Sequence, residues 1–189
     1  MAAVSELWTS HFPGLDTLEP DLRQTLEAAG RIIRLPKGSR IFGPGQTPNG
    51  YVLLLEGDIR VSQVSDSGRE IVLYRVLPGE SCALTTACLL GDETYSAEAV
   101  AETDAVAVAV PRATFEELMA RSAAFRRFVL GSFSHRVTEL FKLVDEIAFQ
   151  RMDVRLAHKL LELAGSSDEL AITHQQLAVE LGTAREVVS

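Results

Sequence analysis

Apolar and polar positions change period along this chain, from a strand-like pattern over residues 31–110 to a helical spacing after it. The strand-like part divides into short apolar or alternating runs, which are typical of β-strands. The runs are RIIRL, SRIF, GYVLLLEG, DIRVSQVS, REIVLYRVL, SAEAVAE and DAVAVAV. Turn-forming residues separate the runs: Pro36-Lys37-Gly38, Gly43-Pro44-Gly45, Pro48-Asn49-Gly50, Glu56-Gly57-Asp58, Asp66-Ser67-Gly68 and Pro78-Gly79. We therefore predict an antiparallel β-roll or jelly-roll, whose strand order the pattern does not specify.

Shorter helices are predicted around and inside this region. Residues 15–29 carry leucines at helical spacing and predict one or two short helices that end at Gly30. Residues 82–91, CALTTACLLG, interrupt the strands with a further helical run. An inserted helix is typical both of a ligand pocket and of an element that only closes the core, and the sequence does not decide between them. Pro111 is predicted as the first residue of a helix that runs to Ser122.

Residues 124–150 predict one long helix. Its apolar residues follow the alternating spacing of three and four that forms the seam of a coiled coil: Leu130, Phe133, Val137, Leu140, Val144 and Ile147. Charged residues flank the seam: Arg126, Arg136, Glu139, Lys142, Asp145 and Glu146. A buried core helix is the alternative, because the seam is short. The flanking charges favour an interface with a second copy of the chain.

The last forty residues predict an amphipathic helix and then a helix-turn-helix. Residues 151–164 form the first helix. Thr173 to Gln176 then match a capping box, Gly182 follows as a turn, and Thr183 to Glu186 match a second capping box. Two short capped helices around one glycine are typical of a helix-turn-helix, although an ordinary helical hairpin gives the same pattern.

Charge and composition exclude several classes of protein. The net charge of −8 argues against a general polyanion binder. Residues 151–189, with 4 Lys and Arg against 6 Asp and Glu, are not basic either, so DNA binding would rest on a local cluster. The N-terminus lacks the pattern of a signal peptide and no run suits a membrane span, so a cytoplasmic location is expected. Two cysteines are too few for a disulfide framework.

An enzyme is not predicted, because no Ser-His-Asp, nucleotide-loop or zinc-protease pattern occurs. The alternative class is a cupin-like small-molecule-binding or isomerase barrel with helical appendages. It would need metal-binding histidines on its strands, and residues 31–110 contain none.

The order of these parts resembles the Crp/Fnr superfamily of bacterial transcription regulators. The most specific similarities are GYVLLLEGDIRV, the Pro78-Gly79-Glu80 turn and THQQLAVELGTAREVVS. The resemblance implies an α+β protein with three parts: an effector-sensing β-roll in residues 1–122, a dimerisation helix in 123–150 and a helix-turn-helix in 151–189. Family members continue into a β-wing, whereas this sequence stops within the second helix. A DNA operator, a second copy of the chain and RNA polymerase are the partners that the resemblance implies.

The resemblance also assigns residues to DNA. Arg185 would donate to a guanine edge and Glu186 would accept from a cytosine, roles that suit their chemistry. The other residues expected at the DNA are Thr173, Gln175, Thr183 and Ser189.

The effector site departs from the pattern of the cyclic-nucleotide-binding members. Leu84 stands where those members carry a glutamate for the ribose, and Tyr95, followed by Ser96, stands where they carry an arginine for the phosphate. A tyrosine does not neutralise a buried phosphate, so cyclic AMP is not expected as the effector. No cofactor is expected, because residues 1–30 lack the cysteines of an iron–sulfur sensor. For His135, the one histidine on the long helix, a solvated side chain is favoured over a haem ligand.

Cys82 and Cys88 remain as candidates for a thiol or reactive-sulfur sensor, because the family places the inserted element at the effector pocket. Small buried cysteines are the alternative. No Lys or Arg lies between residues 76 and 111 to lower a thiol pKa. On one continuous helix the two thiols would lie too far apart for a disulfide, whereas a Cys82 that precedes the helix would allow one. The competing signal is a small apolar ligand.

Overall fold

The computed structural model describes residues 8–65, 70–149, 152–165 and 169–189, with the backbone alone for 146–149. The chain begins with two short 3-10 helices, Trp8–His11 and Leu15–Thr17, and with helix α1, Pro20–Ala29. Leu22 and Leu26 are the buried side chains of α1, as their spacing predicts. Gly30 follows the helix, where a Cβ would stand 2.8 Å from the ring of Trp8. A larger residue there would displace the tryptophan from the core.

In the part of the roll that the structure describes, seven strands and one inserted helix follow, as the sequence predicts. The strands are β1 (Arg31–Leu35), β2 (Arg40–Phe42), β3 (Gly50–Glu56), β4 (Ile59–Val64), β5 (Glu70–Val76), β6 (Glu98–Ala101) and β7 (Ala105–Pro111), and helix α2 (Ala83–Gly91) separates β5 from β6. The predicted turn at 66–68 lies outside the described residues. Two sheets form, with strand orders β1-β7-β3 and β2-β6-β4-β5. The fold is therefore α+β with antiparallel sheets, as predicted.

Strand β7 lies at the centre of the three-stranded sheet. It pairs antiparallel with β1, Ile33 opposite Ala107, and with β3, Leu53 opposite Val108. Its alternating alanines and valines are nearly all buried, as expected for a strand that is covered on both faces. Gly50 begins β3 beside the end of β7, where a Cβ would collide with the carbonyl of Val110. This close approach requires glycine.

The core is aromatic where the helices pack on the roll. The rings of Tyr51 and Phe115 lie 5.1 Å apart, and Phe125 packs edge-on against both. Phe115 belongs to helix α3 (Arg112–Arg121) and Phe125 to helix α4 (Ala123–Phe149). Pro111 is the N-cap of α3 and the last residue of β7, so its predicted place as the first helical residue is wrong by one position. The strand pairing of β7 extends to Pro111 and delays the helix.

Ser122 separates α3 from α4. Its hydroxyl accepts a hydrogen bond from the backbone N–H of Phe125 at 3.1 Å and donates to the carboxylate of Glu19 at 2.6 Å. The hydrogen bond from Ser122 is the main cause that lowers the pKa of Glu19. The serine thereby satisfies a free N–H at the beginning of α4.

The remaining helices are α5 (Met152–Ala164), α6 (His174–Leu181) and α7 (Arg185–Val188). The described residues within 1–61 and 75–137 form one compact unit, and those within 62–74 and 138–189 form the other. None of the helices in the described residues is both long and apolar enough to cross a membrane. In the second unit α6 buries Leu177, Ala178 and Leu181, whereas α5 has no buried residue.

Candidate effector pocket and DNA-reading helices

A cavity of about 880 Å³ lies in the first unit between strands of both sheets and the start of α2. Its size falls within the range of small-molecule sites. Most of the lining is apolar, and the residues that line it are Arg31, Ile33, Ile41, Phe42, Gln46, Thr47, Pro48, Asn49, Gly50, Val52, Leu54, Ile59, Val76, Cys82, Thr85, Tyr95, Ala109, Val110 and Pro111. Arg31 is the single charged residue in this set, and it is exposed at the first position of β1.

Tyr95 is held rigidly at the cavity. Its ring stacks on Phe42 with centroids 3.8 Å apart and planes 6° from parallel. Its hydroxyl shares a hydrogen bond with that of Thr85 at 3.2 Å. Burial raises the pKa of Tyr95 to about 12, so the phenol is neutral at physiological pH. The side chain offers an aromatic face and a neutral hydroxyl where a phosphate would need a cation.

Two of the predicted pocket residues, Cys82 and Tyr95, line the cavity, whereas Leu84, Cys88 and Ser96 do not. Ser96 is exposed and Leu84 is half-buried. Helix α2 begins at Ala83, so its first turn presents Thr85 to the cavity together with the preceding Cys82. Thr85 lies three residues after Cys82, so the two side chains fall on the same side of the helix. If the start of α2 had been known, this spacing would have predicted Thr85 as a pocket residue.

Cys82 precedes the inserted helix, and Cys88 lies in its C-terminal half. Cys82 is the N-cap of α2 with extended backbone angles, so the two thiols do not lie on one continuous helix. Neither forms a disulfide, and both are buried. The thiol of Cys88 donates to the carbonyl of Thr94 at 3.5 Å. Burial raises the pKa of Cys88, and Cys82 and Glu93 raise it further, so the thiol is protonated at neutral pH.

The predicted seam on α4 is largely open in a single chain. Leu130 is 44% and Val144 is 61% exposed, and Phe133, Val137 and Leu140 are half-buried. The side chain of Ile147 lies outside the described residues. Phe141, which the seam pattern omits, is 70% exposed and widens the apolar stripe.

Arg136, which was expected to flank the seam, forms an ion pair within the chain. The guanidinium of Arg136 donates to the carboxylate of Glu80 at 2.6 Å, and its side chain is 13% exposed. Glu80 lies 56 residues earlier in the sequence. Arg136 therefore joins α4 to the turn after β5, and its charge does not by itself indicate a second chain.

The helix-turn-helix forms with one of its two predicted caps. The Thr173 side chain accepts from the N–H of Gln176 at 3.2 Å and completes the capping box of α6. Gly182 ends this helix in the left-handed region at φ 61°. The second capping box is wrong, because Ala184 is the N-cap of α7 and no side chain caps that helix. Thr183 instead donates its N–H to the carbonyl of Ala178 within the turn.

The residues predicted to read DNA lie mainly at the surface. Arg185 and Glu186 are exposed at the start of α7, and Gln175 is exposed on α6. Ser189 is exposed, and its hydroxyl donates to the carbonyl of Arg185 at 3.0 Å. Thr183 is half-buried.

The C-terminal end of α6 is fixed from α5. Arg155 of α5 donates to the carbonyl of Leu181, at the end of α6, at 2.5 Å. This bond satisfies a terminal carbonyl and orients the two helices. Among the described residues no group of three or more His, Cys, Asp or Glu is placed to hold a metal ion.

Comparison with known proteins identifies the family. A cyclic nucleotide-binding domain profile matches residues 32–122. The cyclic AMP receptor protein of Thermus thermophilus is 30% identical over 156 residues, which cover 82% of this chain and 71% of that protein. The global nitrogen regulator of Synechococcus elongatus is 26% identical and covers 84% and 76% of the two chains. A Crp/Fnr-family regulator structure from Eubacterium rectale superposes with a TM-score of 0.86 at 27% identity, covering 95% of this chain and 84% of that one.

The chain belongs to the Crp/Fnr family of transcription regulators. The resemblance inferred from the sequence is thereby confirmed, as is the combination of a β-roll with a helix-turn-helix. Two further relatives are named as transcriptional regulators.

Proposed function

We propose that this chain is a cytoplasmic, homodimeric regulator that binds a specific DNA operator through α6 and α7 and responds to a small ligand in the 880 Å³ cavity. The observation that carries the DNA-binding part is the helix-turn-helix itself. Its turn is fixed by Gly182 and its second helix presents Arg185 and Glu186 to solvent. Those side chains can donate to guanine and accept from cytosine in the major groove.

Two segments of the chain connect the roll to these helices. Helix α4 runs from the first compact unit into the second. Strands β4 and β5 also continue from the roll into the second unit, where Ile71 of β5 lies 3.6 Å from the position that a Cβ on Gly182 would take. A change at the pocket therefore has two routes by which it can reorient the DNA-reading helices.

The ligand that the cavity favours is small and largely apolar. Its lining provides aromatic and aliphatic surface, with a few hydroxyl and amide groups that orient a ligand. Tyr95 replaces the cation that a nucleotide phosphate requires, and the exposed Arg31 is screened by solvent. Cyclic AMP is therefore an unfavourable ligand, although its receptor protein is a relative.

Thiol or reactive-sulfur sensing at Cys82 and Cys88 is the competing signal. Cys82 lines the cavity, and its position before α2 removes the geometric objection to a bridge. The raised pKa of Cys88 disfavours the reactive thiolate, so the ligand is the preferred signal. A double variant with Cys82→Ser and Cys88→Ser distinguishes the ligand signal from the thiol signal. A ligand sensor keeps its response in cells with both changes, whereas a thiol sensor loses it and still folds and dimerises.

The DNA-binding part is tested by selecting duplexes from a random library with the full chain. A dimer with one helix-turn-helix per copy should enrich two inverted half-sites with centres about 10 base pairs, one helical turn, apart. A single half-site would contradict the dimer, and the absence of any enriched sequence would contradict specific DNA binding.

A further inference from the structure

A second cavity, of about 490 Å³, lies in the first unit between the turn after β5 and one face of α4. Its lining shares no residue with that of the larger cavity. It exists because α4 carries Gly131 and Ser132 at this point, where longer side chains would occupy the space. A Cβ built at Gly131 meets no heavy atom within 4 Å.

One wall of this cavity is fixed before any ligand enters. The Glu80 carboxylate accepts from Arg136 at 2.6 Å and from the N–H of Leu77 at 3.0 Å. The hydroxyls of Ser81 and Ser132 share a hydrogen bond at 3.2 Å. These bonds join the turn to α4, so the polar groups of the cavity are held in place and a ligand orders little on binding.

The charge of the cavity is positive. Arg127 and Arg136 line it, and Glu80 is the single acidic residue among the described residues that do so. Because Glu80 is paired with Arg136, no carboxylate of the lining offsets the charge of Arg127, and the one carboxylate known to interact with it, that of Glu19, lies outside the lining. A positive cavity in a chain of net charge −8 favours an anion.

We propose that this cavity binds a small oxyanion, the carboxylate or phosphate group of a small molecule, with Arg127 as its main partner. A guanidinium presents two parallel N–H donors that match either group. The bond between Ser81 and Ser132 uses one of their two hydroxyl protons, so the other can be donated to the anion, whereas the hydroxyl of Thr17 already donates to the carbonyl of Gly14. An anion bound here contacts both the roll and α4, so it stabilises their association. The inference is independent of DNA binding and of the ligand in the larger cavity.

Calorimetric titration of the full chain at low ionic strength tests the proposal, with succinate and inorganic phosphate as separate probes. Arg127→Gln should weaken binding of the preferred probe about tenfold, which corresponds to the loss of one charged hydrogen-bond partner. Arg34→Gln removes the same charge from an exposed position on β1 and should leave the affinity unchanged.

A second pair of variants tests the location. Gly131→Leu should fill the cavity and abolish binding, while Gly131→Ala should retain it, and both residues favour the helix over glycine. Circular dichroism checks that each variant is folded. The proposal is overturned if neither probe binds the wild type, if Arg34→Gln weakens binding as much as Arg127→Gln, or if Gly131→Leu still binds. The probe that binds more tightly identifies the carboxylate or the phosphate as the recognised group.

Discussion

The roll and the helices that follow it bury their apolar residues to different extents. Tyr51, Leu53, Phe115 and Phe125 are at most 1% exposed in the roll and the helices packed on it. On α4 and α5, in contrast, Phe141 is 70% and Leu161 is 72% exposed. The roll therefore contains its own core, whereas the helical part carries apolar surface of the kind that marks an interaction site.

This difference separates the two roles that we propose. A closed core is suited to hold a preformed ligand cavity, because close packing fixes the walls. An exposed stripe on a long helix is suited to association, because its burial requires a second copy.

Core truncation in the roll should give the largest effect. Phe125→Ala leaves a cavity among the core aromatic residues and should lower the free energy of unfolding by about 3–5 kcal/mol in urea titrations. Leu161→Ala, at an exposed site, should change it by less than about 0.5 kcal/mol. If both variants lost the same free energy of unfolding, the surface of α5 would be covered in solution. The roll and the later helices would then not differ in how they bury apolar residues.

Acidic substitutions in the seam of α4 should give the second-largest effect, which is the loss of the dimer. Val137→Glu with Val144→Glu places two carboxylates in the stripe of each copy, where dimerisation would bury them unpaired. The mass from light scattering should fall from two chains to one, while the far-ultraviolet circular dichroism of the roll is retained. Thr138→Glu, an exposed change on the same helix that belongs neither to the seam nor to its flanking charges, is the control. If the mass of the double variant stayed at two chains, the seam on α4 would not be the dimer interface.

The DNA-reading residue should give a smaller and more selective effect. Arg185→Ala should cost about 1–3 kcal/mol on the selected operator, because one bidentate base contact is lost, and should relax the preference at one base pair. Fluorescence anisotropy with operator and random duplexes measures both. An equal loss on every sequence would make Arg185 a phosphate contact.

The smallest effect on stability should come from threonine substitutions at the start of α6 and just before α7. Thr173→Ala removes the cap of α6 and should destabilise the second unit by about 0.5–2 kcal/mol. Thr183→Ala removes no cap and should cost less. Thermal unfolding followed by circular dichroism compares the stability of the two variants. A larger loss of stability for Thr183→Ala would mean that Thr183 does cap α7.

The sequence predicts the elements well and the contacts between them poorly. Each strand was predicted to within two residues, because glycine and proline turns bound the apolar runs. The cavity lining was predicted only at Cys82 and Tyr95, because strand pairing brings Gln46 and Ile59 there from distant positions. The pair of Arg136 with Glu80 spans 56 residues, and no local pattern indicates it.

Local rules also failed where tertiary structure competes with them. Thr183 matches a cap, yet its backbone N–H bonds to Ala178 and closes the turn, so α7 begins after Ala184. Pairing of β7 as far as Pro111 delayed α3 in the same way. In both cases the pairing of the backbone with an earlier part of the chain outweighed the preference of a single residue.

We propose that Tyr95, at the cavity of this Crp/Fnr roll, leaves a nucleotide phosphate without the cation that its binding requires. Calorimetric titration of cyclic AMP into the full chain tests it most directly, with the cyclic AMP receptor protein of Thermus thermophilus as the positive control. We predict no saturable heat for this chain up to millimolar cyclic AMP, because the phosphate would be buried beside a neutral phenol. Saturable binding with a micromolar Kd that tightens the affinity for the selected operator would contradict the account.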